Sequence, residues 1–213
     1  MNPTTSAPHG RNGDARAQNF KLSELVSFFI GFPMLEARKA TRDKVFLLEA
    51  QSIVDGAILS PLPQAVISNL PPQQLLQAGD VILAAKDGGG YLALALALPA
   101  PAAPTVASAP LWVIRIHEQD RVHAAYLAWY LQTRPAQKLL CSVAGQGEAD
   151  ECTEEGLHCL HLPVPDGATQ LAIVAKAAQC KQTEARAQAL WLQLARNNED
   201  GLLAMAQGID VPD

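Results

Sequence analysis

Aromatic residues are scarce in this 213-residue chain: five Phe, three Trp and three Tyr amount to 5%, and only 17% of the residues are charged. The core must therefore come from aliphatic side chains, and a 49% hydrophobic fraction is large enough to exclude a wholly disordered chain. A cationic excess is also missing. Sixteen Lys and Arg stand against 21 Asp and Glu, a formal charge of -5 that excludes a basic nucleic-acid coat. Cysteine is limited to Cys141, Cys152, Cys159 and Cys180, and four in a chain of this size do not require a disulfide framework. Nor do Cys152, His158, Cys159 and His161 follow the paired spacing of a zinc knuckle, so buried free thiols and ordinary histidines are expected, with no metal or cofactor. The most apolar segment, Leu92 to Pro110, lacks charge but carries Pro99, Pro101, Pro104 and Pro110, which argues against a membrane helix. Residues 1–19 have no apolar core of signal-peptide type and read as a flexible lead-in. The chain is expected to be soluble and cytoplasmic.

The charge that is present is unevenly placed. Glu148, Asp150, Glu151, Glu154, Glu155 and Asp166 fall within residues 141–168, which contain no Lys or Arg. Without that stretch, 16 basic residues face 15 acidic ones. Arg38, Lys39, Arg42 and Lys44 cluster around a single acid, Asp43. A phosphate-facing surface outside the acidic stretch is thus compatible with the net charge.

Periodicity predicts a helix from Leu22 to about Phe29, a strand over Lys44–Ala50, and a turn at Asp55-Gly56 leading to a short strand at Ala57–Leu59. Residues 60–73 contain four prolines and must be extended or turned. A tight turn at Ala78-Gly79-Asp80 precedes a strand at Val81–Ala85, and the glycine-rich Lys86–Gly90 separates it from a strand candidate at Tyr91–Leu98. Leu111–Ile116 reads as another strand and His123–Gln132 as a helix, with Pro135 just beyond its end. Leu160–Pro165 must be extended. From Thr169 to Ala195 there is neither proline nor glycine, and strong helix formers dominate. A possible seam there runs through Ile173, Ala177, Cys180, Glu184, Ala187, Trp191 and Leu194 in alternating steps of four and three. The fold class expected is α+β: a compact mixed domain with a curled or barrel-like sheet, followed by a long C-terminal helix.

The order of these signals resembles one half of the specificity subunit of type I restriction–modification systems. Phe20-Lys21-Leu22-Ser23-Glu24-Leu25-Val26 with Gly31 and Phe32 is similar to that family's opening helix and glycine. Residues 46–58 and Leu76-Gln77-Ala78-Gly79-Asp80-Val81-Ile82-Leu83 are similar to its next elements. Tyr126–Leu131 resembles a later helix, and Leu162-Pro163-Val164-Pro165 with Gln170 and Ile173 resembles the entry to its long helix. A full specificity subunit has two recognition domains and two long helices; this chain has room for one of each. The resemblance implies a lead-in at 1–19, a target-recognition domain at 20–168, a helical dimerisation or docking arm at 169–208 and a tail at 209–213. It also implies a non-catalytic reader of double-stranded DNA that scaffolds methyltransferase and restriction subunits, probing two half-sites as a homodimer. The alternative is a protein-interaction or regulatory module on the same fold with weak or lost DNA binding.

Candidate DNA contacts are Arg38, Lys39, Arg42 and Lys44 for phosphates, Gln73, Gln74 and Gln77 for adenine edges, and Lys86 with Gly88 and Gly89 for close approach to a backbone or base. Solvated loops are the competing account of each, and Arg115, Arg121 and Arg134 read equally as surface charges. For the partner interface the candidates are Ile173, Ala177, Cys180, Ala187, Trp191, Leu194 and Leu202. Catalysis finds little support. Asp80 and Lys86 lack the acid-x-Lys partner of a nuclease, Asn69-Leu70-Pro71-Pro72 lacks the aromatic end of an amino-methyltransferase motif, and Gly88–Gly90 lack a dinucleotide-binding context.

Overall fold

The computed structural model describes residues 17–33, 43–54, 57–67, 70–85, 91–95, 103–143 and 154–206. Strands β1 (Gln18–Lys21) and β11 (His161–Val164) form an antiparallel ribbon. A four-stranded antiparallel sheet runs in the order β2 (Val26–Ile30), β10 (Trp112–Ile116), β7 (Val81–Ala85), β8 (Tyr91–Ala95). A three-stranded mixed sheet consists of β6 (Gln64–Ile67), β3 (Asp43–Leu48) and β9 (Thr105–Ala107), with β3 and β9 parallel. Strands β4 (Ile53–Val54) and β5 (Ala57–Ile58) make a small hairpin whose connecting Asp55-Gly56 lies outside the described residues. The helices are α1 (Leu22–Leu25), α2 (Ala124–Leu131), α3 (Arg134–Val143), α4 (Glu154–Cys159) and α5 (Gly167–Ala206). The mixed α+β domain and the long terminal helix are therefore present, with the described strands distributed over four sheets.

The structure departs locally from the elements expected. The expected helix at 22–29 is a single turn, because Val26-Ser27-Phe28-Phe29-Ile30 is rich in β-branched and aromatic residues and pairs along its whole length with β10. Pro135 lies beyond the end of α2 as expected, but it falls in the first turn of a further helix, α3, where its missing N–H has no intrahelical role. Strand β9, which the sequence did not suggest, follows Pro104 in the Leu92–Pro110 segment and pairs in parallel with β3, with an isolated bridge to Leu75 on its other side. The terminal helix also starts two residues earlier than expected and passes through Gly201.

The four-stranded sheet is covered on both faces, which explains the continuous apolar run at Val81–Ala84. One face places Ile82, Ala84 and Val113 in a cluster with Leu48, Leu76, Ala107 and Leu111. From the other, β7 and β8 pack against α2, whose Leu127 and Leu131 are buried. A second cluster, Phe32, Val45, Ile67 and Val106, fills the three-stranded sheet.

Gly31 and Phe32 join the two sheets. Gly31 donates its N–H to the Leu111 carbonyl and Phe32 to that of Ala107, both at 2.7 Å. A Cβ on Gly31 would stand 2.5 Å from the Ser108 carbonyl oxygen and 2.8 Å from that of Ala107. Those atoms are backbone and cannot swing aside. Gly31→Ala is therefore expected to lower the unfolding free energy by roughly 1–3 kcal/mol, measured by urea titration.

By its contacts the chain divides into two compact units, 1–170 and 171–213. Among the described residues, no helix is long and apolar enough to cross a membrane.

Candidate nucleic-acid interface and helical arm

Strand β7 is entered through a turn in which Gly79 adopts φ +88°, a conformation that favours glycine. The next residue, Asp80, is 1% exposed and accepts from the Gln77 N–H at 2.8 Å. Arg115 on β10 reaches across to it. Its Nε donates to Oδ1 at 2.8 Å and one terminal nitrogen to Oδ2 at 2.7 Å, a two-point pairing of fork and carboxylate. The remaining donors close the loop before the strand: Nη1 to the Gln73 carbonyl at 3.0 Å and Nη2 to that of Leu75 at 2.7 Å. The guanidinium also lies 5.2 Å from the centre of the Phe29 ring. Arg115 is thus no free surface charge, and the partner of Asp80 is an arginine 35 residues away.

This pairing fixes the backbone that carries the glutamine candidates. Gln73 and Gln77 are exposed. Gln74 is different: its Nε2 donates to the Ile30 carbonyl at 3.4 Å, and its Oε1 is buried without a partner. A two-point contact with adenine needs both amide atoms free, so Gln74 is the least suited of the three. Lys44 is exposed on β3, which leaves its ammonium available to a phosphate. Arg38, Lys39, Arg42, Lys86, Gly88 and Gly89 lie outside the described residues, so the structure places only part of the candidate set. Among the described residues no group of three or more His, Cys, Asp or Glu is arranged to hold a metal ion. Cys159 is a free thiol and exposed rather than buried, while the His158 ring meets Phe28 edge-on at 5.3 Å.

The root of α5 is built into the first unit by side chains that sequence reasoning had partly singled out. Gln170 is fully buried, and its amide makes three hydrogen bonds. The Nε2 group donates to the carbonyls of Arg121 at 2.7 Å and Pro165 at 2.8 Å, and Oε1 accepts from the His123 N–H at 2.9 Å. One side chain thereby ties the first turn of α5 to the start of α2 and to the strand exit. Asp166 caps α5, accepting from the Thr169 hydroxyl at 2.7 Å and the Thr169 N–H at 2.9 Å. That hydroxyl, followed by the N–H, holds its carboxyl below the usual range, so the cap's contribution is lost as pH falls through the lowered pKa.

Strand β11 is held to α2 by two phenols. Tyr126 donates to the Pro163 carbonyl at 2.6 Å and Tyr130 to that of His161 at 2.9 Å. Burial raises both phenol pKa values above the ordinary 10.0, with the neighbouring Tyr130 adding to the effect on Tyr126. A group whose folded pKa is raised stabilises the fold below its unfolded pKa and loses that contribution as pH rises through the folded one. The expected result is a decline in melting temperature above about pH 10 that becomes shallower in the Tyr126→Phe/Tyr130→Phe double variant. At neutral pH each single substitution should cost about 1 kcal/mol.

The second unit is the remainder of α5. The whole helix has 40 residues, on the order of 60 Å of length. Ile173 and Ala177 are half-buried, whereas Cys180, Ala187 and Leu194 are exposed and Trp191 is 74% exposed. Leu190 and Leu192 add exposed apolar area beside them. Leu202 lies on the helix, but its side chain is outside the described residues.

A mixed domain whose terminal strand leads into one long helix has counterparts among solved structures of type I restriction–modification systems. The fold matches the HsdS subunit from Thermoanaerobacter tengcongensis with a TM-score of 0.55 and 19% identity, covering 84% of this chain and 41% of that one. It also matches a chain from a structure on complex assembly and conformational transition of the type I R-M system, with a TM-score of 0.57 and 21% identity, over 93% of this chain and 48% of that one. This chain therefore spans less than half the length of either. No protein-family model matches the sequence, and no curated protein matches it significantly.

Proposed function

We propose that the chain is a non-catalytic, cytoplasmic reader of double-stranded DNA that scaffolds the methyltransferase and restriction subunits of a type I restriction–modification assembly. The observation that carries this reading is the fold likeness, which covers most of this chain and under half of each similar structure. A chain with one domain and one helix reads two half-sites when two copies pair, and the preferred target is then an inverted repeat. The exposed Trp191, Leu190 and Leu194 supply apolar surface for that pairing, since burying side chains of this size gains about 1.5–3 kcal/mol each. In this reading residues 20–168 form the recognition domain and 169–208 the arm.

Selection from randomised duplexes, with and without a methyltransferase partner, tests the reading. Enrichment of a bipartite inverted repeat is the expected result. Absence of sequence selection under both conditions would reject DNA reading and favour the protein-interaction alternative. The arm is tested separately: the full chain should sediment as a dimer, and a chain ending at Gln170 as a folded monomer. An unchanged oligomeric mass after truncation would exclude pairing through α5.

A further inference from the structure

Helix α3 carries two positive charges, Arg134 and Lys138, and no acid in the sequence RPAQKLLCSV. The two are four residues apart, on one face, and both are exposed. Its inward side is fully committed: Ala136 and Leu140 are buried. Gln137 grips the edge strand β8, its Oε1 accepting from the Tyr91 N–H and its Nε2 donating to the Tyr91 carbonyl, both at 2.9 Å. A third bond, from Nε2 to the Leu131 carbonyl at 2.6 Å, ties the same amide to the end of α2. The basic face is thus presented on a rigid support.

Local stability does not account for the charge. Arg134 occupies the first turn, where the helix dipole disfavours a cation. Among the described residues no carboxylate forms an ion pair with Arg134 or Lys138. Helix α4 packs against α3, but its Glu154 turns to His158 at 3.7 Å. Arg134 and Lys138 therefore present two cations on one exposed face, without an ion-pair partner among the described residues, an arrangement that attracts an anion in a chain with a net charge of -5.

We propose that Arg134 and Lys138 form a phosphate-backbone contact of the DNA-binding surface, adding affinity and register but no base preference. The inference rests on the DNA-reading function proposed above. Each phosphate neutralised contributes about 0.9 to the slope of log affinity against log salt concentration.

The test compares the full chain with its Arg134→Gln/Lys138→Gln variant on the selected duplex. Loss of both contacts should lower the slope by about 1.8, so that the unaltered chain's advantage shrinks about tenfold between 50 and 200 mM salt. The selected sequence should not change, and because both side chains are exposed the melting temperature should hold. An unchanged slope overturns the contact while leaving the reader intact. An equal loss of slope in Lys181→Gln/Arg186→Gln overturns it too, by showing an effect of overall charge. Altered base preference overturns the phosphate role. If the unaltered chain binds no DNA, this contact and the reading beneath it both fall.

Discussion

Replacing Asp80 with alanine is expected to cost the domain roughly 3–5 kcal/mol of unfolding free energy, enough to leave a marginal domain largely unfolded. The reason is the guanidinium left behind. Arg115 is only 17% exposed and has two of its donor groups committed to the carboxylate. Without Asp80 its charge stays in a poorly solvated position, facing the Gln73 and Leu75 carbonyls and the Phe29 ring but no anion. The Gln77 N–H also loses its acceptor, which loosens the turn through Gly79. A double replacement, Asp80→Leu/Arg115→Met, removes both charges and should recover much of the loss, because an apolar pair of similar volume avoids the desolvation cost. Denaturant titration of the two single variants and the double one gives the coupling directly. Additive effects would show that the pair stabilises nothing as a pair.

Gln170→Ala is the second substitution with a large expected effect, about 3 kcal/mol. It strips partners from the His123 N–H and from the Arg121 and Pro165 carbonyls, and each buried group so exposed to loss costs roughly 1–3 kcal/mol where no water replaces the bond. Gln170→Glu separates hydrogen bonding from volume. It puts an oxygen opposite two carbonyl oxygens, and the new carboxyl must hold a proton to donate to either. Its folded pKa is then raised above the unfolded value near 4.3, so the variant should be most stable in acid and lose stability as pH rises. Thermal melts across pH 4–8 check the sign. A variant equally stable across that range would mean that the amide's two donated bonds carry little energy. The same logic places the working boundary of the domain after Gln170: a chain ending at residue 166 should lose the fold that a chain ending at 170 keeps.

These two residues also show how far the sequence could be read. Asp80 was visible as part of a Gly-Asp turn before a strand, and Gln170 as part of the entry to the long helix. Their partners were not. Arg115 lies 35 residues from Asp80, and His123 lies 47 from Gln170. Such pairs form only when the sheet order β2-β10-β7-β8 sets β10 beside β7, and when α2 packs on the same domain as the root of α5. Gln74 illustrates the converse case. Its residue type suits an adenine edge, yet the fold turns its amide toward Ile30 and buries the oxygen.

Short-range physics made several elements legible in the amino-acid order. The proline-free, glycine-poor tail had to be helical, the Leu160–Pro165 segment had to be extended, and the Gly79 turn had to precede the apolar strand at Val81–Ala85. Scarce aromatics and modest charge bounded the chain to an aliphatic core without a basic coat. Long-range pairing, by contrast, makes Val26–Ile30 a strand, sets Thr105–Ala107 parallel to β3 and draws Arg115 into the domain. Each of these depends on a hydrogen-bonding or charge partner distant along the chain. Local preference is too weak to choose between helix and strand where a remote partner supplies the missing bonds.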